Sequence, residues 1–209
     1  ALAPDSKRGV EEWVRQDVAL GNPEPLGLQH LYRAMDFLRE QREEVQKEVF
    51  FATADLLNLE VDLLFFDTTS TYVERDEEDE KGLRRYGYSR DNRPDLPQVV
   101  IGLAVTKEGI PVRCWVLPGN TQDVTTVQKV KKDLSGWKLS RCIWVMDRGM
   151  NSEQNRTVLQ QAGGHYILGE KLRDHQEVHA AALRYRGPFH KVRENLKVKE
   201  ILVGRGERR

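Results

Sequence analysis

Apolar and polar positions divide the chain into a helical first quarter and an alternating strand–helix middle. Val10, Trp13, Val14 and Val18 form a short amphipathic piece between Pro4 and the Pro23/Pro25 turn. Leu28, Leu31, Tyr32, Met35, Leu38, Val45 and Val49 then recur at helical spacing. The wholly polar run from Arg39 to Glu44 interrupts that stripe, so residues 28–57 read as one long helix or a broken pair, with the stripe serving core packing. Val61–Phe66 follows with a single polar residue, Asp62. So continuous a run predicts a strand covered on both faces at the centre of a sheet, ending at Asp67 and the hydroxyl residues Thr68, Thr69 and Ser70.

Two further strands are predicted over Gln98–Thr106 and Ile110–Leu117, joined by the hairpin signal Lys107-Glu108-Gly109. Pro118-Gly119-Asn120-Thr121-Gln122-Asp123 breaks the pattern and opens a helix over Val124–Leu134. Ile143–Met146 is a second apolar run ending in an aspartate, Asp147. A helix from near Ser152 to Gly163-Gly164 and a short strand, His165–Leu168, complete the order β-β-β-α-β-α-β. Three meandering strands followed by αβαβ predict an α/β fold of ribonuclease-H-like type, a mixed sheet flanked by helices on both faces. In that arrangement the first and fourth strands are neighbours, and Asp67 and Asp147 end them.

Composition narrows the class. The chain has 209 residues, 32% of them charged, with a mean hydropathy of −0.63. That suits one core and excludes a membrane span or a signal-peptide pattern at the start. Two cysteines make no disulfide framework, so Cys114 and Cys142 are expected to be reduced and the location cytoplasmic. Lys+Arg and Asp+Glu both number 33, so a nucleic-acid partner has to be met by local patches. Residues 74–80 hold six acids and one base and read as a solvated face. Residues 81–93 swing to net +4 and Leu183–Arg209 to net +6, both interleaved with aromatics, a mixture suited to phosphate and base contacts.

Two carboxylates on adjacent strand ends suit a shared Mg²⁺, with Mn²⁺ as substitute, because a hard cation takes oxygen ligands and keeps waters for substrate phosphate. A second ion about 4 Å away would complete a two-metal centre for phosphoryl transfer. Either aspartate alone reads equally well as a strand-end cap. Asp123 reads as a helix N-cap or first-turn acid, and Asp62 as structural. Arg148 fits a phosphate contact or an acid partner. His30, His165, His175, His179 and His190 read as surface residues, without the ligand pattern of a zinc site.

Phe66-Asp67-Thr68-Thr69-Ser70-Thr71-Tyr72, Tyr86-Gly87-Tyr88-Ser89-Arg90, Arg93–Val99, Pro118–Asp123 and Met146-Asp147-Arg148-Gly149-Met150 together form a specific set. From about Leu28 to Glu170 the chain resembles the DDE transposases of bacterial insertion sequences, in the cut-and-paste branch with a β-rich insertion. The periodicity gives a helical segment over 1–57, and the resemblance implies a catalytic core over 58–170 and the start of the insertion over 171–209. It implies Asp67 and Asp147 as catalytic metal ligands and the segment around Tyr86–Arg90 as a phosphate-facing loop; with the basic run and Arg148 read above, Arg84, Arg85, Tyr86, Tyr88, Arg90, Arg93 and Arg148 are the expected DNA-facing residues. The implied partner is double-stranded DNA, at element ends and target, with a homodimer in the DNA complex as one form. The third acid of the family, a Glu within Tyr-x₂-Arg-x₃-Glu-x₆-Lys, has no match after Asp147; Glu170, Glu177, Glu194, Glu200 and Glu207 lack that context. The expectation is a chain ending inside the insertion domain. Two other functions stay open: a DNA-binding remnant that does not cut, and a stand-alone ribonuclease-H-like nuclease.

Overall fold

The computed structural model describes residues 4–19, 21, 26–137, 139, 142–161, 164–170, 180–181, 184–185 and 187–201. His175, His179, Glu177, Gly163 and the stretch Val203–Arg209 lie outside the described residues.

Three helices come first: α1 (Lys7–Asp17), α2 (Leu28–Glu40) and α3 (Arg42–Leu56). Ser6 caps α1, its Oγ accepting the Gly9 N–H at 3.1 Å. The polar run at Arg39–Glu44 marks a true break, since Gln41 (φ −93°, ψ 7°) separates α2 from α3. Only α3 reaches the core, through Phe50. The packing role expected of the α2 stripe is not seen there: Tyr32, Met35 and Leu38 are exposed.

The sheet contains β1 (Leu63–Tyr72), β2 (Gln98–Thr106), β3 (Pro111–Pro118), β4 (Ile143–Met146) and β5 (His165–Leu168), in spatial order β3-β2-β1-β4-β5. β1 is antiparallel to β2 and β2 to β3, whereas β1–β4 and β4–β5 are parallel. With helices α4 (Asp123–Asp133) and α5 (Glu153–Gln160) in the crossovers, this is the ribonuclease-H-like arrangement. The β2–β3 hairpin turns at Gly109, whose φ of +82° lies where glycine carries no steric penalty. Ser152 caps α5 by accepting the Asn155 N–H.

One face of the sheet carries the core. Leu64, Phe66, Val100, Ala104, Trp115, Trp144 and Met146 pack there with Val127 and Val130 of α4 and Leu159 of α5. The Phe66 and Trp115 rings meet edge to face at 5.7 Å. Burial of β1 strictly alternates from Leu64 to Thr71, and Phe65 on the other face is 38% exposed. Double-sided cover of β1, expected from its apolar run, is therefore absent among the described residues. Leu103, Val116 and Ile167 are exposed on the same open face.

β1 does not end at Asp67. The strand continues past Asp67 because Thr68–Tyr72 pair with Gly102–Gln98 of β2. Asp67 stands in mid-strand; what ends at Phe66 is the pairing with β4. Asp62 precedes the strand, and its carboxylate meets Lys107 at 3.8 Å. A two-stranded ribbon, β6 (His190–Arg193) with β7 (Leu196–Val198), forms a separate sheet.

Cys114 and Cys142 are both free thiols. They belong to β3 and to the residue before β4, with β2 and β1 between. Burial pushes the Cys142 thiol up, and its Sγ donates to the Leu139 carbonyl at 2.9 Å.

Candidate functional site

Parallel pairing puts Phe66 of β1 beside Met146 of β4. Both are buried in the core, so strand alternation puts the residues that follow them, Asp67 and Asp147, on the opposite, open face. Each is exposed. The Asp67 Oδ1 accepts the Thr68 N–H at 2.7 Å and the Asp147 Oδ1 accepts the Arg148 N–H at 2.5 Å. In this way each carboxylate is oriented by the amide that follows it, and its second oxygen meets no described donor. Asp147 is extended (φ −70°, ψ 163°) and caps the 3₁₀ turn Arg148–Met150.

Two anionic oxygen donors on neighbouring strands, each with an uncommitted oxygen, match the ligand chemistry of Mg²⁺ or Mn²⁺. Among the described residues no group of three or more His, Cys, Asp or Glu side chains is placed to hold a metal ion.

Behind Asp67, on the core side of β1, lies a contact that ties β1 to the start of α4. Thr68, 2% exposed, donates its hydroxyl to the Asp123 Oδ1 at 2.5 Å and accepts from the Arg90 guanidinium at 3.2 Å. Arg90 also meets the Asp123 Oδ2 at 3.4 Å, and its backbone N–H donates to Ser70 Oγ. A Cβ added at Gly149, two residues past Asp147, would stand 3.3 Å from that same Oδ2. Asp123 is the first residue of α4, as expected of a first-turn acid, but its carboxylate reaches across to Thr68. Local sequence carries no sign of this, because the partners are 55 residues apart. Thr69, Ser70, Tyr88, Arg90, Asn120 and Asp123 contribute to a cleft of about 350 Å³ here. A larger cavity of about 840 Å³, by Tyr185, Pro188, His190, Glu200 and Ile201, shares no residue with it or with the acid pair.

The loop from 73 to 97 is tied down at Gln98, whose Nε2 donates to the Tyr88 and Gly119 carbonyls at 2.8 and 3.0 Å. Gly119 is required there, since a side chain would collide with the Gln98 and Arg85 carbonyls. Within this loop the acidic run is more than a solvated face. Asp79 binds Arg84 through both carboxylate oxygens at 2.7 and 3.0 Å, and Glu78 pairs with Arg85 at 3.5 Å. Arg84 holds the Asp79 carboxyl below its ordinary range through that hydrogen bond.

The expected DNA-facing residues thus divide. Arg84, Arg85 and Arg90 are engaged as described; Tyr86 donates its hydroxyl to the Asp76 carbonyl, and Arg93 holds Asp95 and stacks over Tyr72. Tyr88 is 86% exposed, and Arg148 is exposed with no acid partner among the described residues. His30, His165 and His190 are exposed, as expected of surface histidines.

Strand order and strand directions define an α/β chain of ribonuclease-H-like fold, with Asp67 and Asp147 exposed next to the registered Phe66–Met146 pair of its central strands. No protein-family model and no curated protein sequence matches the chain. Among solved structures it is similar to the Mos1 transposase paired-end complex with the left transposon end, at 13% identity over 77% of this chain and 49% of that one, with a TM-score of 0.36. It is similar to the Mos1 mariner paired-end complex with Mn at 15% identity, over 78% and 50% of the two chains, also with a TM-score of 0.36. For the catalytic domain of Mos1 mariner transposase the values are 11%, 61%, 58% and 0.33. The chain spans about half the length of the first two. The fold assignment rests on the strand order and directions above.

Proposed function

We propose that the chain is a DNA transposase, or part of one, whose Asp67 and Asp147 hold divalent metal for phosphodiester cleavage and strand transfer at element ends. One observation carries this reading: both carboxylates leave adjacent parallel strands on one open face, one residue beyond the registered pair Phe66–Met146. On it, residues 58–170 are the catalytic unit, 1–57 a helical lead-in and 171–209 the start of a β-rich insertion. The motifs around both aspartates support the insertion-sequence branch.

A bound Mg²⁺ or Mn²⁺ would activate the attacking oxygen and stabilise the leaving one. The chain's own residues do the rest. The Thr68 and Arg148 amides hold the carboxylates by one oxygen each, leaving the other for the ion. The Arg148 guanidinium, exposed beside Asp147, receives a substrate phosphate. Water then attacks phosphorus, the P–O3′ bond breaks, and a 3′-hydroxyl and a 5′-phosphate result; the freed 3′-hydroxyl next attacks a target phosphodiester, joining to its phosphorus as the target's P–O3′ bond breaks and the target 3′-oxygen leaves as a hydroxyl. Two carboxylates hold Mg²⁺ weakly before substrate phosphates join. The third acid implied by the resemblance has no counterpart in a described group. We therefore expect residues 1–209 to bind duplex DNA and cut it poorly, the same observation that favours a non-cutting DNA-binding form as second reading.

The test is Mn²⁺-dependent nicking of duplex DNA by purified 1–209. Slow nicking abolished by Asp67→Asn and by Asp147→Asn supports the enzyme reading. Tight binding without any nicking supports the second, and nicking untouched by either substitution refutes the assignment of the pair.

A further inference from the structure

The ribbon formed by β6 and β7 is built against its own stability. A lone two-stranded sheet is marginal in water, and this one contains no buried residue: every residue from His190 to Val198 is exposed. Lys191 stands directly opposite Lys197 in its register, a cross-strand position where like charges repel. Arg193, past the irregularity at Val192, adds a third cation. Among the described residues no carboxylate lies within ion-pair reach of Lys191, Arg193 or Lys197. The Lys199 ammonium lies 5.2 Å from the Phe189 ring centre and 5.9 Å from that of Tyr185. A ribbon that places two ammonium groups face to face, with no carboxylate in reach among the described residues, is suited to a polyanion.

We propose that the β6–β7 ribbon is a docking surface for duplex DNA, entering the major groove with Lys191 and Lys197 on backbone phosphates. The B-form major groove, about 12 Å wide, admits a two-stranded β-ribbon. The deep, narrow major groove of double-stranded RNA does not. Phosphate contacts of this kind confer affinity and orientation without sequence preference. The proposal rests on the DNA reading above but concerns a surface separate from the acid pair.

The experiment uses the full 1–209 chain and a labelled 20-base-pair DNA duplex, with binding followed by fluorescence anisotropy across salt. Losing two phosphate contacts in Lys191→Gln/Lys197→Gln lowers the log–log salt slope by about 1.8. Between 50 and 200 mM salt that flattens the affinity loss by about twelvefold. Lys191→Arg/Lys197→Arg keeps the parent slope, and the Gln pair melts no lower than the parent because the repulsion is gone. An unchanged slope in the Gln pair, or equal affinity for a matched RNA duplex, overturns the ribbon proposal while leaving the DNA reading standing. No DNA binding by the parent chain at any salt overturns both.

Discussion

Removing the Thr68 hydroxyl should loosen the contact that ties the Asp67 strand to the first turn of α4. In Thr68→Val the shape is kept, so no cavity opens and the change is confined to hydrogen bonding. The hydroxyl donates to a carboxylate, and such bonds contribute about 1.5–3 kcal/mol. The Asp123 side chain is 35% exposed, so water replaces part of the lost bond, and the lower end, about 1.5 kcal/mol, applies. With an ordinary urea dependence this lowers the unfolding midpoint by about 0.5–1.5 M. Asp123→Ala alone costs more than the shared bond, because the same carboxylate sits in the first turn of α4. A double-mutant cycle isolates the pair: Thr68→Val and Asp123→Ala together should cost about 1 kcal/mol less than the sum of the single changes. Urea unfolding followed by tryptophan fluorescence measures it. Additivity within about 0.5 kcal/mol would show that the two residues do not act through each other, and the link between β1 and α4 would be wrong.

Asp79→Asn should release Arg84 and strengthen binding of duplex DNA, steepening the salt slope by up to about 0.9; unchanged anisotropy titrations would show that Arg84 takes no part. Burial alone would raise the Asp133 carboxyl, but the Trp115 indole donor, Lys129 and Arg113 outweigh it and bring it below its ordinary value. A depressed folded value adds stability that is present above the unfolded carboxyl range, near pH 4, and is lost as pH falls through the folded value. The acid limb of the urea midpoint should therefore be shallower in Asp133→Asn, and an identical limb would count against this.

Much of the fold was legible because each strand is a short apolar run between turn signals, and the element order leaves one reasonable sheet. Register was partly legible too, since Phe66-Asp67 and Met146-Asp147 repeat the same buried-then-acid step at two strands. The extension of β1 was not: Thr68–Tyr72 looks like a polar loop, and only pairing with β2 makes it strand. The open face hid behind the continuous run Leu63–Phe66, which cannot by itself distinguish a strand covered on both faces from one covered on one. Opposite charges at 74–80 and 81–93 read as separate features in the sequence, whereas the chain folds back so that Asp79 and Glu78 meet Arg84 and Arg85. Asp123 showed the same limit, being a helix-start acid locally and a partner of Thr68 only in three dimensions.

The claim that Asp67 and Asp147 act as one metal site is tested most directly by Mn²⁺ binding, followed by electron paramagnetic resonance of the free ion in the presence of a short DNA duplex. The account predicts saturable binding that Asp67→Asn and Asp147→Asn each weaken at least tenfold, with the double change little worse than either, and with melting temperatures held or slightly raised as carboxylate repulsion is relieved. Mn²⁺ binding of parent strength in either single variant would contradict it.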